Sequence, residues 1–174
     1  MVAARFAQQL NTQIGNELAA HNQYLACAVH FDAETMPRMA AFFYAQALEE
    51  RAHAAMMIQY LLDTDSAVEI PAVPAPVSAF DDVVAPVALA LEQEKRVTEQ
   101  VNELLRIARE ESDFASEQFM QWFIKEQVEE VATMSDLLAV TTRNRSDIED
   151  IEEYVAREQG RGTDDPTAPR QAGA

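Results

Sequence analysis

Along most of the chain, large apolar residues recur at alternating steps of three and four, the repeat of one helix face. The first stripe is Leu10, Ile14, Glu17, His21, Tyr24, Ala28 and Phe31, and the second is Met39, Phe43, Gln46, Glu50, His53, Met57 and Tyr60. The third runs Val84, Val87, Leu91, Glu94, Thr98, Val101, Leu105, and the fourth Met120, Phe123, Gln127, Glu130, Met134, Leu137. Each seam is apolar at its ends and carries a carboxylate near its middle. A carboxylate on a buried face needs a cation, so four such interruptions point to metal.

The pattern predicts helices at about 4–32, 36–64, 82–110, 113–142 and 147–158. The last opens on a capping-box pattern, Ser146 with Glu149, and has Ile148, Ile151 and Val155 on its apolar face. Short turns at 32–35 and 111–112 make the first and second helices, and the third and fourth, antiparallel neighbours. The stretch 65–81 is long enough to do something else. A helix of about 29 residues is about 43 Å long, and that link, extended, reaches about 53 Å. It can cross the whole bundle and leave the second and third helices parallel. The expectation is an all-α four-helix bundle with one long crossover and a short fifth helix, its mid-helix carboxylates sharing one layer.

Composition narrows this further. At 174 residues with 48% hydrophobic content, the chain can build one domain with a real core. Of its four glycines, Gly160, Gly162 and Gly173 lie in the last fifteen residues, which disfavours an all-β fold. No proline interrupts a proposed helix interior; Pro37 and Pro86 fall near helix starts, where proline is tolerated. The domain is expected over 1–159, with 160–174, rich in Gly, Pro, Thr and Asp, a disordered tail that is passive or docks a partner. A net charge of -17 argues against nucleic acid and favours cations. Cys27 is alone, so it forms no internal disulfide and cannot build a multi-cysteine metal site. No apolar run approaches a membrane span, and no signal-peptide core is visible, so a soluble cytoplasmic protein is expected.

Glu50 and His53 form Glu-x-x-His, which aims a carboxylate and an imidazole at one point. With Glu17, Glu94 and Glu130 they make a cage whose four negative charges balance two divalent cations, with Glu50 as the natural bridge. Oxygen-rich ligation suits iron or manganese better than zinc. No Lys or Arg occupies the seams, which disfavours a set of structural ion pairs. His21 reads as a hydrogen-bonded core residue one turn after Glu17, His30 as surface, and Trp122 mainly as packing, with a redox role as the minor alternative.

These residues resemble the ferritins, specifically the bacterial non-haem ferritins, over about positions 4 to 158. The fourth helix departs from the symmetric di-iron pattern, having Gln127 to Glu130 where a second Glu-x-x-His would stand. Bacterioferritins carry that second histidine, and a haem-ligating methionine directly after the bridging Glu. Here those places hold Glu130 and Arg51, so no haem is expected.

The resemblance implies one iron on Glu17, Glu50 and His53 and a second on Glu50, Glu94 and Glu130, with Gln127 bonding an iron-bound water or bridge. Glu49, Glu126 and Glu129 match a third iron position toward an inner cavity; read without the family, they form a solvated acidic face. Tyr24, facing the site, would hydrogen-bond a ligand or supply an electron, although a bare stripe aromatic is more often core. The implied activity is a ferroxidase oxidising Fe(II) with O2, with the ferric product stored as mineral in a homo-oligomeric shell of twenty-four subunits. In ferritins the fifth helix lines fourfold channels. Glu110, Glu111, Asp113 and Glu117 match the region of the threefold pores, or simply form an acidic helix start. The rival readings are a rubrerythrin-type di-iron oxidase or peroxidase without storage, and a non-catalytic shell subunit.

Overall fold

The computed structural model describes residues 2–158 and 165–173. It contains α1 (Ala4–Ala33), α2 (Pro37–Asp63), α3 (Ala85–Glu110), α4 (Phe114–Arg143) and α5 (Ile148–Glu158), with no strand among the described residues. Among the described residues no helix is long and apolar enough to cross a membrane.

Three helices end in the same way without glycine. Thr35, Asp65 and Ser112 take the left-handed conformation, with φ of 61°, 55° and 55°. Behind each, a long backbone bond closes the helix: Met36 N–H to Phe31 C=O, Ser66 to Leu61 and Asp113 to Ala108, at 2.9, 2.9 and 2.8 Å. This is the Schellman closure, which usually uses glycine at the left-handed residue. Asp65 tolerates the left-handed region best of the three, and β-branched Thr35 is the most strained there.

The helix starts are stopped by side chains. Asp82 Oδ1 accepts the backbone N–H of Val84 and Ala85, and Pro86 follows at once, so α3 begins at Ala85 rather than near 82. Asp113 caps α4 through the N–H of Ser116. α5 starts at Ile148 with Asp147 accepting from Asp150 N–H at 3.3 Å, so Asp147, not Ser146, serves its start. Ile151 and Val155 of α5 are buried, while Ile148 is largely exposed. α2 has no cap of its own. Glu152 from α5 supplies one, accepting the N–H groups of Arg38 and Met39 at 2.9 Å each.

Contacts at the ends fix the direction of every helix. Arg5 near the start of α1 meets Glu110 at the end of α3, and Tyr60 near the end of α2 meets Ser116 at the start of α4. With short turns joining α1 to α2 and α3 to α4, α2 and α3 therefore run parallel, and residues 64–84 cross the bundle. Two amides of α1 hold that crossover as a neighbouring strand would. Asn11 donates to Ala67 C=O and accepts from Glu69 N–H, and Gln23 does the same with Val77. Between them Gly15 gives room to the crossover, since a Cβ there would lie 2.5 Å from Pro71 Cγ.

The core is in two parts. One gathers Phe31, Met36, Phe43 and Leu137 with the buried face of α5; the other gathers Phe6, Leu10, Met57, Leu104 and Met120. Between them lies the polar layer read from the sequence. The predicted seams are buried almost throughout; in the third, Leu104 and not Leu105 is buried, and Thr98 is half-buried, as the face drifts around α3.

Over 165–173 the tail makes polar contacts with the bundle. Asp165 binds Trp122 and Lys125, Arg170 binds Asp63, and Ala172 N–H donates to Ala55 C=O at 3.0 Å. Composition gave no sign of these contacts because they are polar and few. Residues 160–164 and Ala174 of the expected tail lie outside the described residues.

Candidate metal centre

α1, α2, α3 and α4 each send polar side chains into the middle layer. Glu17, Glu50, His53, Glu94, Gln127 and Glu130 are all buried, the most exposed at 6%. No Lys or Arg belongs to the buried set among the described residues.

Glu17, Glu50 and His53 come together, each offering a ligand atom within 4.8 Å of the others. Glu17 Oε2 and Glu50 Oε2 lie 4.0 and 3.5 Å from His53 Nδ1. Both oxygens are buried and have no hydrogen-bond partner. Two orphaned carboxylate oxygens converging on an imidazole nitrogen are what a small cation would satisfy. The donor set therefore fits a hard or borderline divalent metal. Behind it, Gln13 donates to the other Glu17 oxygen at 2.9 Å and fixes the carboxylate plane.

The other half is arranged differently. Glu94, Glu50 and Glu130 are not gathered as tightly as the first trio. Glu94 accepts from Tyr24 Oη and, at 3.4 Å, from Gln127 Nε2. Thr98 Oγ1 donates to Gln127 Oε1 at 2.9 Å, which turns the amide so that its NH2 faces Glu94. Glu130 is buried, and the nearby Gln46 side chain favours its charged form.

Electrostatics agree with a site built for positive charge. Burial first, then the Glu50 charge, raises the Glu17 carboxyl well above its ordinary value. Burial followed by Glu94 does the same to Glu50, and burial followed by Glu49 to Glu130. Glu94 is pushed up by burial to about 7, against the pull of the Tyr24 hydrogen bond. A bound cation would reverse each shift by favouring the charged form.

Of the three acids expected further out, Glu49 and Glu126 come together with His53, again within 4.8 Å. Glu49 also accepts from Gln46 at 2.8 Å. Glu129 is not in this group; it is exposed and pairs with Lys125 at 3.8 Å, one turn earlier on α4.

Neighbouring expectations fare unevenly. His21 is half-buried, with Nδ1 2.6 Å from Ala47 C=O, as a hydrogen-bonded packing residue. His30 is not a surface residue: it packs edge-on against Phe31 and Phe80, because the crossover covers that side of α1. The acidic cluster at the α3 to α4 turn is largely matched by arginines, with Glu110 on Arg5 and Arg106, and Glu117 on Arg109. Sequence reading gave no part to Gln13 or Asp165 and no role to Thr98. Gln13 carried a usable signal, a buried amide one helical turn before Glu17.

Comparisons with known proteins match this architecture. Residues 7–144 match the family model described as the ferritin-like domain. The chain is 50% identical to ferritin BfrB of Mycolicibacterium smegmatis over 97% of this chain and 93% of that protein. It is 35% identical to the bacterial non-heme ferritin of Staphylococcus aureus, covering 82% and 86%. The open pore ferritin from the archaeon Archaeoglobus fulgidus superposes with a TM-score of 0.88 at 28% identity, over 93% of this chain and all of that one. With the four-helix bundle, the crossover and the carboxylate layer already in place, these similarities establish that the chain belongs to the ferritin family.

Proposed function

We propose that this protein is an iron-storage ferritin that oxidises Fe(II) with O2 at the mid-bundle layer. The observation that carries this is the pair of buried, unpartnered oxygens, Glu17 Oε2 and Glu50 Oε2, facing His53. Fe(II) is the substrate. Glu17, Glu50 and His53 would hold one ion, and Glu50, Glu94 and Glu130 a second, with Glu50 shared. Gln127, turned by Thr98, would offer its NH2 to an oxygen ligand beside Glu94.

Two Fe(II) each give up one electron, and O2 accepts both, leaving as hydrogen peroxide after taking two protons. Hard carboxylate oxygen favours Fe(III) over Fe(II), which lowers the potential of the pair. The raised carboxyls have a second consequence: those that hold a proton must release it when iron enters. Glu49 and Glu126, beside His53, would hold iron on its way out of the pair. A shell of twenty-four copies storing ferric mineral is supported by the relatives named as ferritins. The exposed apolar residues Leu25, Val29, Ile70 and Val77 offer surface for neighbours in such a shell. A cytoplasmic location follows from the same reading.

Aerobic Fe(II) oxidation tests the site. Glu50→Ala and His53→Ala should each slow it by at least about tenfold; oxidation at the parent rate would remove the proposed centre. Native mass tests storage. A particle near twenty-four copies is expected, whereas a stable dimer would favour a di-iron oxidase without a shell.

A further inference from the structure

A ligating histidine is usually oriented by a hydrogen bond at its other ring nitrogen. Among the described residues, none is seen at His53. Glu49 and Glu126 approach it only within the 4.8 Å grouping. Its ring is instead walled by two aromatics of α4, Trp122 at 5.6 Å and 74° and Phe123 at 5.7 Å and 75° between centroids. Trp122 is thus one of the two walls that limit how the His53 ring can turn.

Trp122 is itself held from outside the bundle. Its indole N–H donates to Asp165 Oδ2 at 3.1 Å, and the same oxygen takes Lys125 Nζ at 3.2 Å. Asp165 Oδ1 is fixed by the N–H and hydroxyl of Thr167, at 2.8 and 2.6 Å. The segment beyond is anchored to α2, where Arg170 binds both oxygens of Asp63 and Ala172 binds the Ala55 carbonyl. Asp165 therefore belongs to a segment tied down at both ends of its contact with α2 and α4. A carboxylate so fixed can hold an indole in one rotamer more firmly than packing alone.

We infer that Asp165 is a positioning residue of the metal centre, fixing Trp122 and through it the ring of His53 in the orientation that meets Glu17 and Glu50. The inference rests on the proposed metal-binding role of that trio. It assigns a role at the buried site to a C-terminal segment that lies outside the four-helix bundle.

Co(II) titration of the full-length, metal-free protein, followed by visible absorption, tests it. Asp165→Ala should weaken Co(II) binding by about tenfold and change the absorption band. Asp165→Asn keeps one acceptor for the indole N–H but turns its NH2 toward the Thr167 N–H, so it should recover only part of the affinity. Lys125→Ala should bind as the parent does. Trp122 is the sole tryptophan, so its emission should shift in Asp165→Ala and less in Asp165→Asn. Parental Co(II) affinity in Asp165→Ala, or a loss of affinity there with no shift in Trp122 emission, would overturn the inference alone. If Glu50→Ala binds Co(II) as tightly as the parent, the metal-binding reading itself fails.

Discussion

Tyr24 on α1 donates its phenolic O–H to the Glu94 carboxylate on α3, joining two buried groups across the middle of the bundle. The bond lowers the Glu94 carboxyl while burial raises it, and the Tyr24 phenol is raised by burial and by the Glu94 charge. The pair thus stabilises a charge in a place that otherwise disfavours one.

Tyr24→Phe removes the donor and leaves a buried carboxylate oxygen unsatisfied. The metal-free protein should lose about 1–3 kcal/mol at pH 8, read as a lower unfolding midpoint in denaturant. An unchanged midpoint would mean that Glu94 finds another partner. Iron stoichiometry should be retained, because Tyr24 is not among the proposed ligands.

The raised Glu94 carboxyl makes metal-free stability depend on pH. Its pKa moves from 4.5 to about 7 on folding, so the unfolded chain loses the proton first. The contribution is fully present below 4.5, is lost as pH rises toward 7, and is flat above. Glu94→Gln removes this dependence. The difference in unfolding midpoint between parent and variant should therefore move against the parent across that window. A difference constant with pH would contradict the assignment.

Gly15 tests the crossover. Alanine there would meet Pro71 Cγ at 2.5 Å, an overpacking cost of about 1–3 kcal/mol. The helix itself gains about 0.5–1 kcal/mol from replacing glycine. Gly15→Ala should therefore destabilise by about 1 kcal/mol, with Co(II) binding unaltered. Stabilisation would mean that the crossover is not held against α1 as described.

The relatives carry both names, ferritin and bacterioferritin, so haem content discriminates. Arg51 follows Glu50 where a haem-ligating thioether would be needed, and it is exposed beside Leu48 and Ala55. Isolated protein should lack a Soret band. Stoichiometric haem would reassign the subfamily.

Much of this was legible because polarity at a buried helical position is rare and periodic. Glu17, Glu50, His53, Glu94, Gln127 and Glu130 could be read from the seams, and the crossover from its length alone. Helix ends were less legible, since Asp82 and Asp147 act through their side-chain geometry, which no periodicity records. Nor does a stripe report rotamers. Glu94 turns to Tyr24 and Glu129 turns to Lys125, choices made by neighbours. The link from Trp122 to Asp165 spans 43 positions and joins a helix to a segment with no apolar pattern. Only the fold brings them together.

The most direct test of the central claim is an anomalous-scattering map at the iron edge from crystals soaked anaerobically in Fe(II). Two strong peaks are predicted, one among Glu17, Glu50 and His53 and the other among Glu50, Glu94 and Glu130, with Glu94 drawn away from Tyr24 toward the second. A map with no peak within coordination distance of Glu50 and His53 would contradict the account.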